Sequence, residues 1–250
     1  MNDFAGKVVV VTGGSSGIGR AAAIMFAQRG GKVVVAARRV PQSEETVRMM
    51  KEAGGEGMFV QTDVRVAAQV ENLVKRTVDT YGRLDIAFNN AGKSGIFQSL
   101  VTENEEAFYE QIDTNLKGVW LCMKYELPEM LKQGGGVIVN NSSITGLRAL
   151  RKLSSYSASK HAVIGLTNAA AKEFAPYNIR IMALCPAWTM TEMTKEFTID
   201  PERKEKTARS IPLRRIAQPE EIAELACFLA SDKASFIAGG AIAISGALDI

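Results

Sequence analysis

The stretch Lys7-Val8-Val9-Val10-Val11-Thr12-Gly13-Gly14-Ser15-Ser16-Gly17-Ile18-Gly19-Arg20 decides the fold. Its consecutive valines predict a strand. The strand runs straight into a glycine-rich turn, and an apolar helical stretch follows to Arg29. Glycines let a backbone turn tightly and approach a pyrophosphate, and the start of a helix offers unpaired N–H groups and a favourable dipole. Placement after a strand and before a helix favours a dinucleotide site over a plain turn.

The alternation continues outward from this point. Strands are predicted over 7–11, 32–36, 57–61, 84–88, 136–140, 179–184 and 241–244. Helices are predicted over 17–29, 43–52, 66–81, 103–113, 116–131, 155–174 and 219–229. Strands that are nearly all apolar and separated by helices imply a parallel sheet covered on both faces. The expectation is a single α/β domain over residues 1–250, doubly wound, with seven strands and ligands at their carboxyl ends. No linker, low-complexity tract or short repeat divides the chain.

Composition excludes several classes. The chain has 250 residues, 46% hydrophobic and 23% charged, which suits an ordinary globule that needs no metal or disulfide support. A net charge of +3 with no block of like charges gives no reason to expect nucleic acid. Cys122, Cys185 and Cys227 are widely separated and read as reduced thiols. The single histidine, His161, removes any His-rich metal site, so no metal is expected. Met1-Asn2-Asp3-Phe4 has no charged-then-apolar leader pattern, and no apolar run reaches membrane-spanning length. A cytoplasmic protein without membrane contact is the expectation.

A second stretch points to chemistry. Tyr156 and Lys160 lie four residues apart in a predicted helix and share a face. Free tyrosine has a pKa of about 10, and a nearby cation can lower it by roughly 1–3 units. Spacing alone leaves surface decoration open.

Together these segments resemble the short-chain dehydrogenase/reductase family, in the branch of this chain's length. The resemblance spans nearly the whole sequence. It rests on Thr12, Gly13, Gly17 and Gly19 in a TGxxxGxG turn, on Asn89-Asn90-Ala91-Gly92, on Asn115, on Ser143 and on the Tyr156–Lys160 pair. Pro212-Leu213 and Gln218-Pro219-Glu220-Glu221-Ile222 resemble the family's later segment. It implies a Rossmann-type fold and hydride transfer between a nicotinamide cofactor and a carbonyl or secondary alcohol. Tyr156 would move the proton of the substrate oxygen. Ser143, chosen over Ser142 by family spacing, would orient that oxygen. Lys160 would hold the nicotinamide ribose and lower the Tyr156 pKa. Asn115 would interrupt its helix and position a water connecting Lys160 to solvent, and it also reads as an N-cap for the helix from Leu116. His161 is taken as structural, and Arg20 as a solvated residue.

The resemblance also implies the cofactor contacts. Gly13, Ser15, Ser16, Gly17, Ile18 and Gly19 would cradle phosphate, Asp63 and Val64 would meet adenine, and Asn90, Ala91 and Gly92 would pack on the cofactor. Pro186, Thr189 and Thr191 would meet the nicotinamide end and a phosphate, beside Tyr156 and Lys160. Where NAD members usually carry aspartate this chain has Ala37, followed by Arg38 and Arg39. A guanidinium can bind a 2′-phosphate that an acid would repel. NADP(H) is therefore expected, with Arg38 as the main contact, and NAD(H) remains an alternative. Pro186-Ala187 departs from the family's Pro-Gly, and Ile244-Ser245-Gly246-Ala247-Leu248-Asp249-Ile250 departs from its Asp-Gly-Gly ending.

Residues 188–211 resemble the family's lid. Trp188, Met190, Met193 and Phe197, with Phe97, Leu147 and Leu150, suggest a pocket for a fairly apolar ketone; packing of lid or subunits is the other reading. The long helix is apolar around much of its circumference at Ala162, Val163, Leu166, Ala169 and Ala170, which with the family's habit implies a homotetramer. The rivals are an NAD-linked sugar or steroid dehydrogenase and a non-catalytic dinucleotide-binding sensor.

Overall fold

A computed structural model describes residues 3–248. Met1, Asn2 and the last two residues of the C-terminal segment, Asp249 and Ile250, lie outside the described residues. The chain forms β1 (Val8–Thr12), α1 (Gly17–Gln28), β2 (Lys32–Ala37), α2 (Val40–Glu52), β3 (Glu56–Gln61), α3 (Ala67–Tyr81) and β4 (Ile86–Asn89). Then follow α4 (Glu105–Gln111), α5 (Gly118–Lys132), β5 (Gly136–Asn141), α6 (Ser154–Phe174) and β6 (Ile179–Pro186). The lid contributes α7 (Lys195–Thr198) and α8 (Pro201–Ser210), before α9 (Pro219–Ala230) and β7 (Ala241–Ile244).

Among the described residues seven strands form one parallel sheet, in the order β3-β2-β1-β4-β5-β6-β7. Every residue of β1 is buried, because alternate side chains feed two separate cores. Val9 and Val11 pack with Val33, Val35 and Ile86 towards α1 and α9. Val10 and Val34 pack with Leu73, Met123 and Val163 on the α3, α5 and α6 side. Each fully buried valine contributes roughly 1.5–3 kcal/mol of transfer free energy. The register Val9↔Val33 and Val9↔Ile86 brings the ends of β1, β2 and β4 level. Strand order reverses between β1 and β4, which opens a crevice beyond Thr12 and Asn89, as doubly wound sheets do at the switch point.

The structure adds two features to the sequence reading. The break expected between residues 113 and 116 is a π-type turn over Ile112–Lys117 that joins α4 to α5 without interruption. In the lid, α8 buries no residue and is capped by Asp200, whose carboxylate accepts from Arg203 N at 2.8 Å. Among the described residues, no helix is long and apolar enough to cross a membrane.

Candidate active site and cofactor cleft

The turn after β1 is held from below. Thr12 Oγ1 accepts from both Asn90 N and Ala91 N at 3.0 Å, and Asn90 Nδ2 donates to Thr12 O at 3.0 Å. Gly13 has φ +67, and a Cβ there would sit 2.9 Å from Ala91 Cα, so only glycine fits. Gly17 opens α1 with φ +52. Ser16, at the N-cap, makes no side-chain cap to this helix. The first N–H groups of α1 therefore face the crevice without a side-chain partner, as an anion site requires.

A cavity of about 670 Å³ runs from this turn to Tyr156 and up to the lid. Its wall includes Ser143, Tyr156, Lys160 and every cofactor contact read from the sequence except Gly19. A Cβ at Gly19 would lie 2.4 Å from Gly13 O, so that glycine serves the packing of helix on turn.

Helix α6 brings the chemistry-bearing groups to the wall. Ser142 Oγ donates to Lys160 O at 2.9 Å, which pins the end of β5 to the helix. That bond commits the Ser142 hydroxyl, whereas the Ser143 hydroxyl faces the Tyr156 phenol and accepts from Thr145 N at 3.2 Å. Lys160 is buried, and its Nζ donates to Asn141 O at 2.8 Å and lies 5.8 Å from the Tyr156 ring centroid. Burial pushes the Tyr156 phenol above its ordinary value, and the Ser143 bond pulls it partly back. The expected lowering by Lys160 is not found. Its ammonium is turned to a carbonyl, and burial lowers its own pKa to about 8.

Asn115 is fully buried in the π-type turn and does not line the cavity. Its Oδ1 accepts from Lys93 N at 2.8 Å, and its Nδ2 donates to Lys93 O at 3.0 Å and to Ser159 Oγ at 3.1 Å. It ties the loop after Gly92 to the residue beside Lys160. It caps no helix start, because the helix continues through it. π-type turns recur at functional sites because they place a side chain that regular spacing cannot.

At the other end Arg39, rather than Arg38, meets the glycine turn. Arg39 Nη2 donates to Ser16 Oγ at 2.6 Å and Ser15 Oγ at 3.0 Å, and its Nη1 pairs with Glu192 at 2.7 Å. Arg38 is exposed on the cavity wall. Arg20 is not a solvated residue: its guanidinium donates to Ser15 O, Gln42 O and Thr46 Oγ1, joining α1 to α2. Asp63 is engaged by Arg65 at 2.7 Å, which holds its carboxyl below the ordinary range. His161 is exposed, with Nδ1 2.8 Å from Ser157 O. Ala187 keeps negative φ, so the missing glycine brings no strain, whereas Ala247 has φ +64.

On the substrate side Phe197 sits edge-on to both Phe97 (5.3 Å between centroids) and Trp188 (5.2 Å). Leu150 and Met193 join this wall; Leu147 and Met190 do not.

Sequence reasoning missed Asn141 and Glu192. Asn141 supplies the Lys160 acceptor, and its Oδ1 is buried without a partner at the cavity wall. A polar pair, Asn140-Asn141, ending an otherwise apolar strand was the available signal. Glu192 had none, since its meaning depends on which loop it faces.

The sequence model described as "Enoyl-(Acyl carrier protein) reductase" matches residues 13–248. An uncharacterised oxidoreductase of Thermotoga maritima is 42% identical over 248 residues, covering 98% of each chain. Cyclohexanol dehydrogenase of an Acinetobacter species is 37% identical over 246 residues, covering 98% of this chain and 96% of its own. A crystal structure of actinorhodin polyketide ketoreductase with NADPH superposes with a TM-score of 0.93 at 33% identity, over 99% of this chain and 98% of that one. Matched by this family model over residues 13–248 and by these relatives along almost its full length, the chain belongs to the short-chain dehydrogenase/reductase family, oxidoreductases acting on alcohols and carbonyls.

Proposed function

We propose that the protein is an NADP(H)-dependent oxidoreductase that interconverts a fairly apolar ketone and its secondary alcohol. The observation behind this reading is that Ser143 and Tyr156 face each other on the wall of one cavity that also reaches Arg38 and Arg39. The residues present suit a dinucleotide. The N–H groups at the start of α1 would hold the pyrophosphate, Arg38 and Arg39 the 2′-phosphate, and Asp63 and Val64 the adenine. Thr189, Thr191 and Pro186 would hold the nicotinamide end. When bound, the nicotinamide supplies or accepts the hydride.

The chain's own residues handle orientation and the proton. Ser143 Oγ–H donates to the substrate oxygen and fixes it against the Tyr156 hydroxyl. In reduction Tyr156 passes its proton to that oxygen; in oxidation it takes the proton back. Its raised pKa keeps it protonated at neutral pH, so it stands ready as the acid. Lys160, whose Nζ donates to Asn141 O beside Tyr156, would hold the nicotinamide ribose hydroxyls. Asn115 holds the loop after Gly92 against the helix that carries Tyr156 and Lys160. Phe97, Trp188 and Phe197 exclude water from the reacting carbon, which protects hydride transfer. Homotetrameric assembly in the cytoplasm completes the reading.

The test is loss of NADPH absorbance with a panel of cyclic and linear ketones, free sugars and steroids, with Tyr156→Phe as control. A kcat/KM for NADH at or above that for NADPH rejects the cofactor assignment. Preference for free sugars rejects the apolar pocket. Tight nucleotide binding without turnover across the panel favours the sensor. A single 27 kDa species in light scattering rejects the tetramer.

A further inference from the structure

Arg39 does not stand free to meet a phosphate. Its guanidinium is spread over three acceptors: Ser15 Oγ, Ser16 Oγ and the carboxylate of Glu192. The two hydroxyls belong to the phosphate-cradling turn. Glu192 belongs to the other side of the cleft, at the root of the lid, 153 positions along the chain. Arg39 holds the Glu192 carboxyl below the ordinary range, so it is anionic at neutral pH.

The turn that bears Glu192 is stiff. Thr191 N donates to Thr194 Oγ1 at 3.1 Å, and Thr194 Oγ1 donates to Thr189 O at 2.6 Å. The same turn touches the cradle a second time: a Cβ on Gly17 would lie 3.0 Å from Thr191 Cγ2. The lid root thus rests on the glycine turn through Thr191 and grips the arginine beside that turn through Glu192.

We propose that Glu192 is a specificity-determining residue of the cofactor site, a built-in anion that competes with the 2′-phosphate for Arg39. The inference rests on the reading of Arg39 as a 2′-phosphate ligand. A guanidinium has two forked edges, and in this arrangement one lies on the serine hydroxyls and the other on the carboxylate. A dianionic phosphate arriving at the same nitrogens must displace Glu192 or share Arg39 with it against like-charge repulsion. Either way, Glu192 lowers the preference for a phosphorylated ribose. Its release also frees the root of the lid that carries Trp188 and Phe197, so phosphate recognition and lid mobility share one ion pair.

The test measures binding of two cofactor fragments, adenosine 2′,5′-bisphosphate and adenosine 5′-monophosphate, by calorimetry at fixed salt. The proteins are wild type, Glu192→Gln and Glu196→Gln, the last removing a lid acid on the same cavity that Arg39 does not hold. An exposed pair is worth at most about 1 kcal/mol, so removing the competing anion should tighten the bisphosphate about fivefold in Glu192→Gln. The monophosphate should change less than twofold in that variant, and Glu196→Gln should match wild type for both fragments. If wild type prefers the bisphosphate but Glu192→Gln gains nothing, the competition is wrong and the cofactor reading stands. If wild type shows no preference and Glu192→Gln creates one, the competition stands and the NADP assignment falls. No preference in either protein overturns both. An equal gain in Glu196→Gln also overturns the proposal, because general charge then explains the effect.

Discussion

Glu126 offers a quantitative test of the interior. It is a carboxyl on α5, 1% exposed, whose Oε2 accepts from Asn89 Nδ2 at 3.0 Å. Its other oxygen and Asn89 Oδ1 are both buried without partners. Burial raises its pKa from the ordinary 4.5 to about 7. A raised folded-state pKa contributes stability that is complete below the unfolded value and is lost as pH rises through the folded one. Between pH 5 and 8 this single group therefore removes about 2–3 kcal/mol of stability, at about 1.4 kcal/mol per pKa unit. Glu126→Gln keeps the shape, cannot ionise, and replaces the unpartnered Glu126 oxygen with an N–H donor, leaving Asn89 Oδ1 as the one orphaned acceptor of the pair. The variant should match wild type near pH 5 and exceed it by about 2–3 kcal/mol at pH 8. Urea unfolding of both proteins at fixed concentration across that range measures the difference. Parallel stability curves, or a variant that is weaker at both ends, would refute the assignment of a neutral buried acid.

Other outcomes follow from the same geometry. Tyr156→Phe should lower kcat roughly 10²–10⁴-fold while leaving cofactor affinity and thermal stability in place, as steady-state kinetics and fluorescence titration would show. A simultaneous loss of cofactor binding would assign Tyr156 to scaffolding instead. Trp188→Ala removes the edge contact to Phe197 (5.2 Å) and should raise KM for apolar ketones more than for small polar ones; equal effects on both would make the ring cluster mere lid packing. Ala247→Gly relieves a left-handed alanine (φ +64) and should stabilise by about 0.5–1 kcal/mol, seen as a melting temperature a few degrees higher. An unchanged or lower melting temperature would mean that the backbone there is not strained.

The central strands were legible because they announce themselves through apolar β-branched runs that two cores demand, as Val8–Val11 and Val33–Val35 show. The site was legible to the extent that its groups sit on fixed spacings, as Tyr156 and Lys160 do on one helix. Helix α8 was hidden for the opposite reason. Pro201–Ser210 buries nothing and shows no apolar period, although Asp200-Pro201 is a recognisable helix start. The exchange of Arg38 for Arg39 was beyond sequence, because it depends on two serine hydroxyls and a lid carboxylate converging in space. The direction of the Lys160 ammonium was equally hidden, since its acceptor is the backbone of another strand.

The π-type turn at Ile112–Lys117 has a consequence for how this region tolerates length changes. A π-type turn is a regular helix holding one surplus residue, so it shifts the phase of everything before it by about 100° relative to everything after. Here that phase step lets α4 lean on α6 while α5 packs on α3. Removing one residue within 112–117 would restore unbroken helical winding, so the backbone would accept the deletion more readily than almost anywhere else along the helix. What it would forfeit is the aim of one amide. Asn115 would swing away from Lys93 and Ser159, and a locally better-formed helix would give a less well-tied loop over Tyr156.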